Sequence, residues 1–252
     1  MTTIDFLVVT YPADYVWLRY LFRSIEKYAT GFRKLILVVE EREPLPDDLP
    51  TYVEVKRCRN YLRRGEAPSS PGDVSGYFGQ SIEGMRAHQH SDAEVIWILE
   101  SDCVFKRPID LQNDHNYPVA RPEIIWRPWE DAGPAKCWAD AVRDLLQHEP
   151  PAECGCCLPF IYPRGLYRAT WEHVGGETAL VEVVKTGKSL SQCNVIGNYG
   201  LILEDMLGEQ PAFRSRRCTA EQIARQCIHQ FWSHAGINDP AVQSKLRELG
   251  LS

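Results

Sequence analysis

The apolar positions of the chain fall into short unbroken runs separated by amphipathic stretches, the rhythm of strands alternating with helices. Ile4 to Thr10 is rich in β-branched residues and ends at Tyr11-Pro12, which predicts a buried strand followed by a turn. From Asp14 onward Val16, Leu18, Leu21, Phe22 and Ile25 recur near helical spacing, with Asp14 as N-cap and Gly31 past the end. Lys34 to Val39 predicts a second buried strand. The acidic, proline-rich loop Glu40 to Pro50 follows it, and then a third short strand at Tyr52 to Val55. Small and turn-forming residues fill 67–75, a candidate lid. A helix over Gly76 to His90 then leads into Val95 to Leu99, the most apolar strand, which ends at Glu100-Ser101-Asp102. Such β-α-β alternation predicts an α/β fold with a Rossmann-like, mostly parallel central sheet flanked by helices.

Past Pro108 the pattern predicts a strand at Tyr117 to Ala120, a tryptophan-rich loop around Trp126 and Trp129, and a helix over Ala135 to His148. A strand at Leu158 to Tyr162 follows, then helices over Arg164 to His173 and Glu177 to Thr186. Gly197 to Leu203 reads as mixed, and Thr219 to His229 as helical. With no internal repeat and no dividing linker, a single domain over residues 1–252 is expected.

The formal net charge of −6 argues against a protein that coats nucleic acid non-specifically. Two basic patches remain, Lys56-Arg57-Cys58-Arg59 with Arg63-Arg64, and Arg214-Ser215-Arg216-Arg217. Each reads either as a solvated face or as a contact for a diphosphate or a polyanionic acceptor. Nine cysteines, an odd number without framework spacing, fit a reducing compartment. Cys154-Gly155-Cys156-Cys157 has no second CxxC or CxxH pair at zinc-finger spacing, so ordinary reduced thiols are expected there. The N-terminus lacks the features of a signal peptide, and no stretch approaches the roughly 18 apolar residues of a spanning helix. A cytoplasmic location is the resulting expectation.

Open parallel sheets bind ligands beyond the carboxyl ends of their strands, where Glu100 and Asp102 stand. Two carboxylates one residue apart at a strand end suit a hard divalent ion that bridges them to a diphosphate. That ion neutralises the charge developing on a departing nucleoside diphosphate. The plainer alternative is a solvated turn.

The stretch WILESDCVFKRP resembles the strand-plus-DxD region of GT-A glycosyltransferases, and in particular bacterial and phage transferase-like proteins with a DSDCVF pattern. Tyr77 to Gln80 lies in GYFGQ, which is similar to the GYxxQ element of that group, and FLVVTYPADYVWLRYLFRSI resembles its first strand and helix. The resemblance covers about the first 110 residues and continues weakly through LPFIYPRGLYR and SQCNVIGNYG to FWSH. It implies a GT-A fold, a nucleotide-sugar donor of the UDP-sugar kind, and Mn2+ or Mg2+. Residues 1–110 then form the nucleotide-sugar-binding half and 111–252 the acceptor-side half. Carried over by position, Asp102 is the principal metal ligand and Glu100 an auxiliary one. Thr10 and Tyr11 approach the nucleobase, Tyr77 and Gln80 face the nucleotide, and His234 completes the metal shell. Two departures stand out: Glu100 replaces the first Asp of the motif, and Glu83-Gly84-Met85 occupies a place where related chains tend to have a lysine.

For the chemical step, Glu130 and Asp131 are the candidate bases for an inverting transfer, while Gln192, with Asn194, falls where the resemblance implies a sugar contact. Trp126 and Trp129 offer flat faces for a sugar or base, or simply pack in the core. The expected acceptor is a glycan or a hydroxymethylated pyrimidine in phage DNA, the latter flipped out of its stack. A catalytically silent nucleotide-sugar or glycan-binding module is the first alternative. A nucleotidyltransferase is the second, although TYPADY offers no glycine- and lysine-rich phosphate loop.

Overall fold

The structure, a computed structural model, describes residues 1–59, 76–114, 116–208, 210, 212–231 and 236–251. Strand β1 (Ile4–Thr10) is buried along its whole length and lies between β2 (Lys34–Glu40) and β4 (Val95–Ile98), parallel to both. β3 (Val53–Cys58) extends the parallel sheet beyond β2, and β7 (Phe160–Pro163) closes the other side antiparallel to β4. The five-stranded order is therefore β3-β2-β1-β4-β7.

Because side chains alternate across a strand, each strand feeds both faces of the sheet. Ile4, Phe6, Val8, Leu35, Leu37, Val95 and Trp97 pack on α1 (Tyr15–Tyr28) through its Leu18, Leu21, Phe22 and Ile25. Leu7, Val9, Ile36, Val38, Ile96 and Ile98 pack on the opposite layer. That layer consists of α2 (Gly76–Met85), the short α3 (Ala87–His90), α4 (Ala139–Leu146), α5 (Arg164–Val174), α6 (Gly176–Lys185) and α7 (Gln192–Leu207). Asp5, the one acid inside β1, is fully buried and paired. Arg33 grips it with both Nε (2.9 Å) and Nη2 (2.7 Å), and Ser91 Oγ donates to it at 2.6 Å.

Smaller pairs complete the structure. β5 (Cys103–Phe105) runs antiparallel to β9 (Ile228–Gln230), and β6 (Glu123–Trp126) runs parallel to β8 (Arg214–Arg217). α8 (Ala220–Arg225) opens with a capping box made by Thr219 and Gln222. α9 (Pro240–Glu248), capped by Asp239, packs Val242 and Leu246 on Trp17 and Tyr20 of α1. The residues after it fasten to the same helix. Arg23, Lys27 and Tyr28 donate to the carbonyls of Leu251 and Leu249 at 2.9–3.0 Å.

Several expectations are corrected. Tyr117 to Ala120 is a turn, and Ala135 to His148 divides into a 3-10 segment, Trp129–Trp138, followed by α4. Gly76 to His90 is two helices broken at Arg86. Thr219 to His229 is α8 followed by β9, because the chain turns extended at Gln226 and pairs with β5. The mixed segment Gly197 to Leu203 lies inside the 16-residue helix α7. Tertiary bonding overrides weak propensity there. Asn198 Oδ1 accepts from Ala152 N at 3.0 Å while its Nδ2 donates back to Ala152 O, and Asn194 Oδ1 accepts from Cys154 N at 2.7 Å.

Gly197 makes that close approach feasible, since a Cβ there would sit 2.4 Å from Cys154 Cβ. Gly197→Ala is expected to cost about 1–3 kcal/mol of stability through overpacking. Chemical denaturation would measure this, and an unchanged midpoint would contradict the packing account.

Among the described residues no helix is long and apolar enough to cross a membrane. All nine cysteines carry free thiols, with Cys154 buried.

Candidate functional site

The chain leaves β1 for β2 and β3 on one side and later crosses to β4 on the other. The gap beyond the carboxyl ends of β1 and β4 is thus the switch point of the sheet, where two connections diverge and open a crevice. Thr10 and Tyr11 end the first strand there, and Glu100, Ser101 and Asp102 follow the second.

One side chain bridges the two ends. Gln80, on α2, donates its Nε2 at 3.0 Å to Val9 O and at 3.0 Å to Glu100 Oε2. Asp14 was expected to cap α1 but makes no capping bond. Its carboxylate instead accepts from Ser101 Oγ at 3.0 Å, drawn in by the hydroxyl of the acidic turn. Asp102, nearly buried, accepts from Gln230 Nε2 at 3.3 Å, and its carbonyl accepts from Phe231 N at 3.1 Å.

These placements bring Asp14, Glu100 and Asp102 within one another's electrostatic field. Burial, then the charges of Asp102 and Asp14, push the Glu100 carboxyl up to about 7, against a smaller lowering by Gln80. Burial and Asp102 also raise Asp14, and burial with Asp14 raises the Tyr11 phenol. A cluster of carboxylates that holds a proton this tightly is one that a cation would relieve.

A cleft of about 460 Å³ opens beside this turn. Tyr77, Gln80 and Ser81 form one wall, and Gly155 to Leu158 with Trp138 another. Ser191 and Gln192 at the start of α7, with Lys106, Gln226, His229 and Gln230, are also part of its lining. Glu100 lines the cleft, while Asp102 stands behind it. Gln192 occupies its place because residue 84 is a glycine, where a Cβ would come within 3.0 Å of Gln192 Cγ. The neighbouring Glu83 is fully buried and bound to Arg86 at 3.0 Å and His90 at 2.7 Å, so it serves the helix layer and does not line the cleft.

Of the residues singled out in the sequence, Tyr77, Gln80, Glu100 and Gln192 line one cleft, with Asp102 adjoining. Thr10 is buried, and its hydroxyl has no hydrogen-bond partner among the described residues. Tyr11 is exposed beside Asp14. Glu130 and Asp131 are exposed on the 3-10 segment and do not line the cleft; Asp131 is 3.8 Å from Arg217. Trp126 ends β6 half-buried, and Trp129 donates its indole N–H to Pro150 O at 2.9 Å, so the indole that reaches the cleft is Trp138. His234, Arg63, Arg64 and the loop 67–75 lie outside the described residues. Arg57 donates to the carbonyls of Glu40 (3.0 Å) and Glu43 (2.6 Å), and Arg59 pairs with Glu177. Arg214 and Arg216 share Glu123.

Sequence reasoning missed Asp14 as a site residue, and it missed Lys106, Trp138 and Gln226 altogether. The latter three reach the cleft from separate segments, and no local spacing marks them.

Among the described residues no group of three or more His, Cys, Asp or Glu side chains is arranged to hold a metal. Glu100 and Asp102 supply two oxygen donors, the number Mg2+ commonly takes from protein when substrate phosphates and water fill the remaining positions. The donor set fits such an ion. No protein-family model and no curated protein matches the chain.

Proposed function

We propose that this chain is a metal-dependent glycosyltransferase of GT-A architecture, transferring a sugar from a UDP-sugar to a hydroxyl acceptor. The observation that carries the reading is the Glu100/Asp102 pair at the switch point of a mostly parallel sheet, opening onto a cleft with Gln80 and Gln192 in its walls. Glu100 and Asp102 would hold Mn2+ or Mg2+, which when bound neutralises charge on the departing diphosphate.

The remaining roles belong to the chain itself. Gln80 ties Glu100 to the end of β1 and so fixes the carboxylate toward the cleft. The Thr10 hydroxyl is unpartnered among the described residues but buried at the end of β1 and does not line the cleft, so no nucleoside contact is assigned to it. Gln192 and Ser191 present polar groups to the sugar. Of the described cleft-lining groups, Glu100, raised to about 7, can exchange a proton near neutral pH, whereas burial, then Lys245 and Lys106, lower His229 and favour its neutral form.

The position of Glu130 and Asp131 away from the cleft favours a second reading, a nucleotide-sugar-binding module without turnover. One experiment separates the two. The protein is titrated with UDP with and without manganese, and UDP release is followed with UDP-glucose, UDP-galactose and UDP-N-acetylglucosamine. Manganese-dependent binding with release supports the transferase, and binding without release supports the module. Absence of any nucleotide binding rejects both.

A further inference from the structure

The cleft is electrically two-ended. Among its described lining residues the charged groups are Glu100 and Lys106, with His229 beside the lysine. Lys106 is half-buried and has no carboxylate partner among the described residues, whereas Lys34 and Lys56 share Glu54, and Lys185, Lys188 and Lys245 each hold an acid. An unpaired ammonium kept partly out of water in a concave wall calls for an anion from outside.

Its place in the fold says which end of a substrate that anion occupies. Lys106 directly follows β5, and its backbone N–H donates to Cys227 O at 2.8 Å at the end of the β5–β9 ribbon. The opposite end of the same ribbon carries Asp102, with Gln230 bonded to it. Four steps of extended chain lead from position 102 to 106, about 13 Å at strand rise. A diphosphate held at the acidic turn therefore leaves the lysine on the far side of the transferred sugar.

We propose, resting on the transferase reading, that Lys106 forms an anion subsite for the acceptor, and that the acceptor is a saccharide carrying one phosphate or carboxylate group. Gln226 and His229, which line the cleft beside it, add hydrogen-bonding capacity. A single lysine matches a single anionic group. A nucleic-acid backbone calls for a track of cations, whereas Arg57 is held by the backbone carbonyls of Glu40 and Glu43, and Arg59, Arg214, Arg216 and Arg217 lie against the carboxylates of Glu177, Glu123 and Asp131.

Calorimetric titration with glucose 6-phosphate, glucuronate and glucose tests the subsite, run on the free protein and with UDP and manganese present. The two acidic sugars are expected to bind at least about tenfold more tightly than glucose, the worth of one partly desolvated charge pair. The stronger of the two identifies the anion. Lys106→Met should abolish the preference, Lys106→Arg should keep it, and both should bind UDP with manganese as the wild type does.

Equal affinity for acidic and neutral sugars, or a preference that survives in Lys106→Met, overturns the proposal. So does a loss of UDP affinity in Lys106→Met, which would assign the lysine to the donor. Binding of a hydroxymethylated DNA duplex unaffected by that substitution, without binding of acidic sugars, also overturns it. If wild-type protein binds no UDP, the donor reading fails separately, and the titrations without nucleotide decide the anion site by themselves.

Discussion

Glu100→Gln is expected to remove at least about 10³-fold of sugar-transfer activity while making the metal-free protein more stable. On the transferase reading, the activity loss follows from deleting one of the two charged oxygen donors proposed for the ion that neutralises the departing diphosphate, an effect of about 4 kcal/mol at the transition state. The gain in stability follows from linkage. Glu100 titrates near 7 in the folded protein against 4.5 for an unhindered glutamate, because it is buried beside Asp102 and Asp14. A carboxyl whose pKa is raised by folding contributes no penalty below about pH 4.5, where it is protonated in both states. Its penalty grows as pH rises through the interval up to about 7, and is full above it. Discounted for partial exposure to cleft water, that penalty is on the order of 2 kcal/mol. Glutamine accepts the same bond from Gln80 without the charge. Thermal unfolding at pH 8 should therefore show Tm higher by about 4–8 °C in the variant, with the difference shrinking toward pH 5. A variant less stable than wild type at pH 8 would show that Glu100 holds the fold together and is not strained by it.

Asp102→Asn is expected to leave the fold intact and to weaken manganese-dependent UDP binding by at least about 100-fold, near 3 kcal/mol. Asparagine keeps the volume of this nearly buried residue and can still receive the Gln230 amide, while the backbone bond from Phe231 is untouched. What it loses is the second negative oxygen donor of the acidic turn. Circular dichroism should be unchanged, and titration with UDP should give the same weak affinity with and without manganese. Wild-type affinity in the presence of manganese would remove Asp102 from the proposed ion site.

The sheet and the acidic turn were the parts most legible in the chain, for a common reason. β1, β2 and β4 are buried on both faces, so they appear as unbroken apolar runs, and whatever polar group follows such a run stands at a strand end. Gln80 and Tyr77 were located through the GYFGQ element, and both line the cleft. α5 and α6 were visible because their apolar residues keep helical spacing. α7 was not, because its buried Val195, Ile196 and Ile202 are interspersed with Asn194, Gly197, Asn198 and Gly200, several of which serve close approach or bonds to residues 152–154. The β6–β8 pair was equally hidden. Arg214-Ser215-Arg216-Arg217 carries no apolar signal, and it becomes a strand through its neighbour Glu123–Trp126 and the shared Glu123 carboxylate.

Asp14 shows the limit of local rules at the site. An acid before a helix reads as a cap, yet the hydroxyl of Ser101, distant in sequence, claims its oxygen. Lys106 stands inside the WILESDCVFKRP stretch, but nothing in that stretch marks it as a cleft residue. Its meaning depends on the cleft, which exists only after six separated segments meet.

The fastening of Leu249 and Leu251 onto Arg23, Lys27 and Tyr28 joins positions up to 228 residues apart. On the ribosome, the first helix is therefore made long before the carbonyls that will anchor it. At about 10 residues per second the wait is on the order of 20 s, during which Trp17 and Tyr20 lack their α9 cover. Through that interval the sheet can already form its β1–β2, β2–β3 and β1–β4 pairings and the Asp5–Arg33 bond, so what waits uncovered is the outer face of α1 that carries Trp17 and Tyr20.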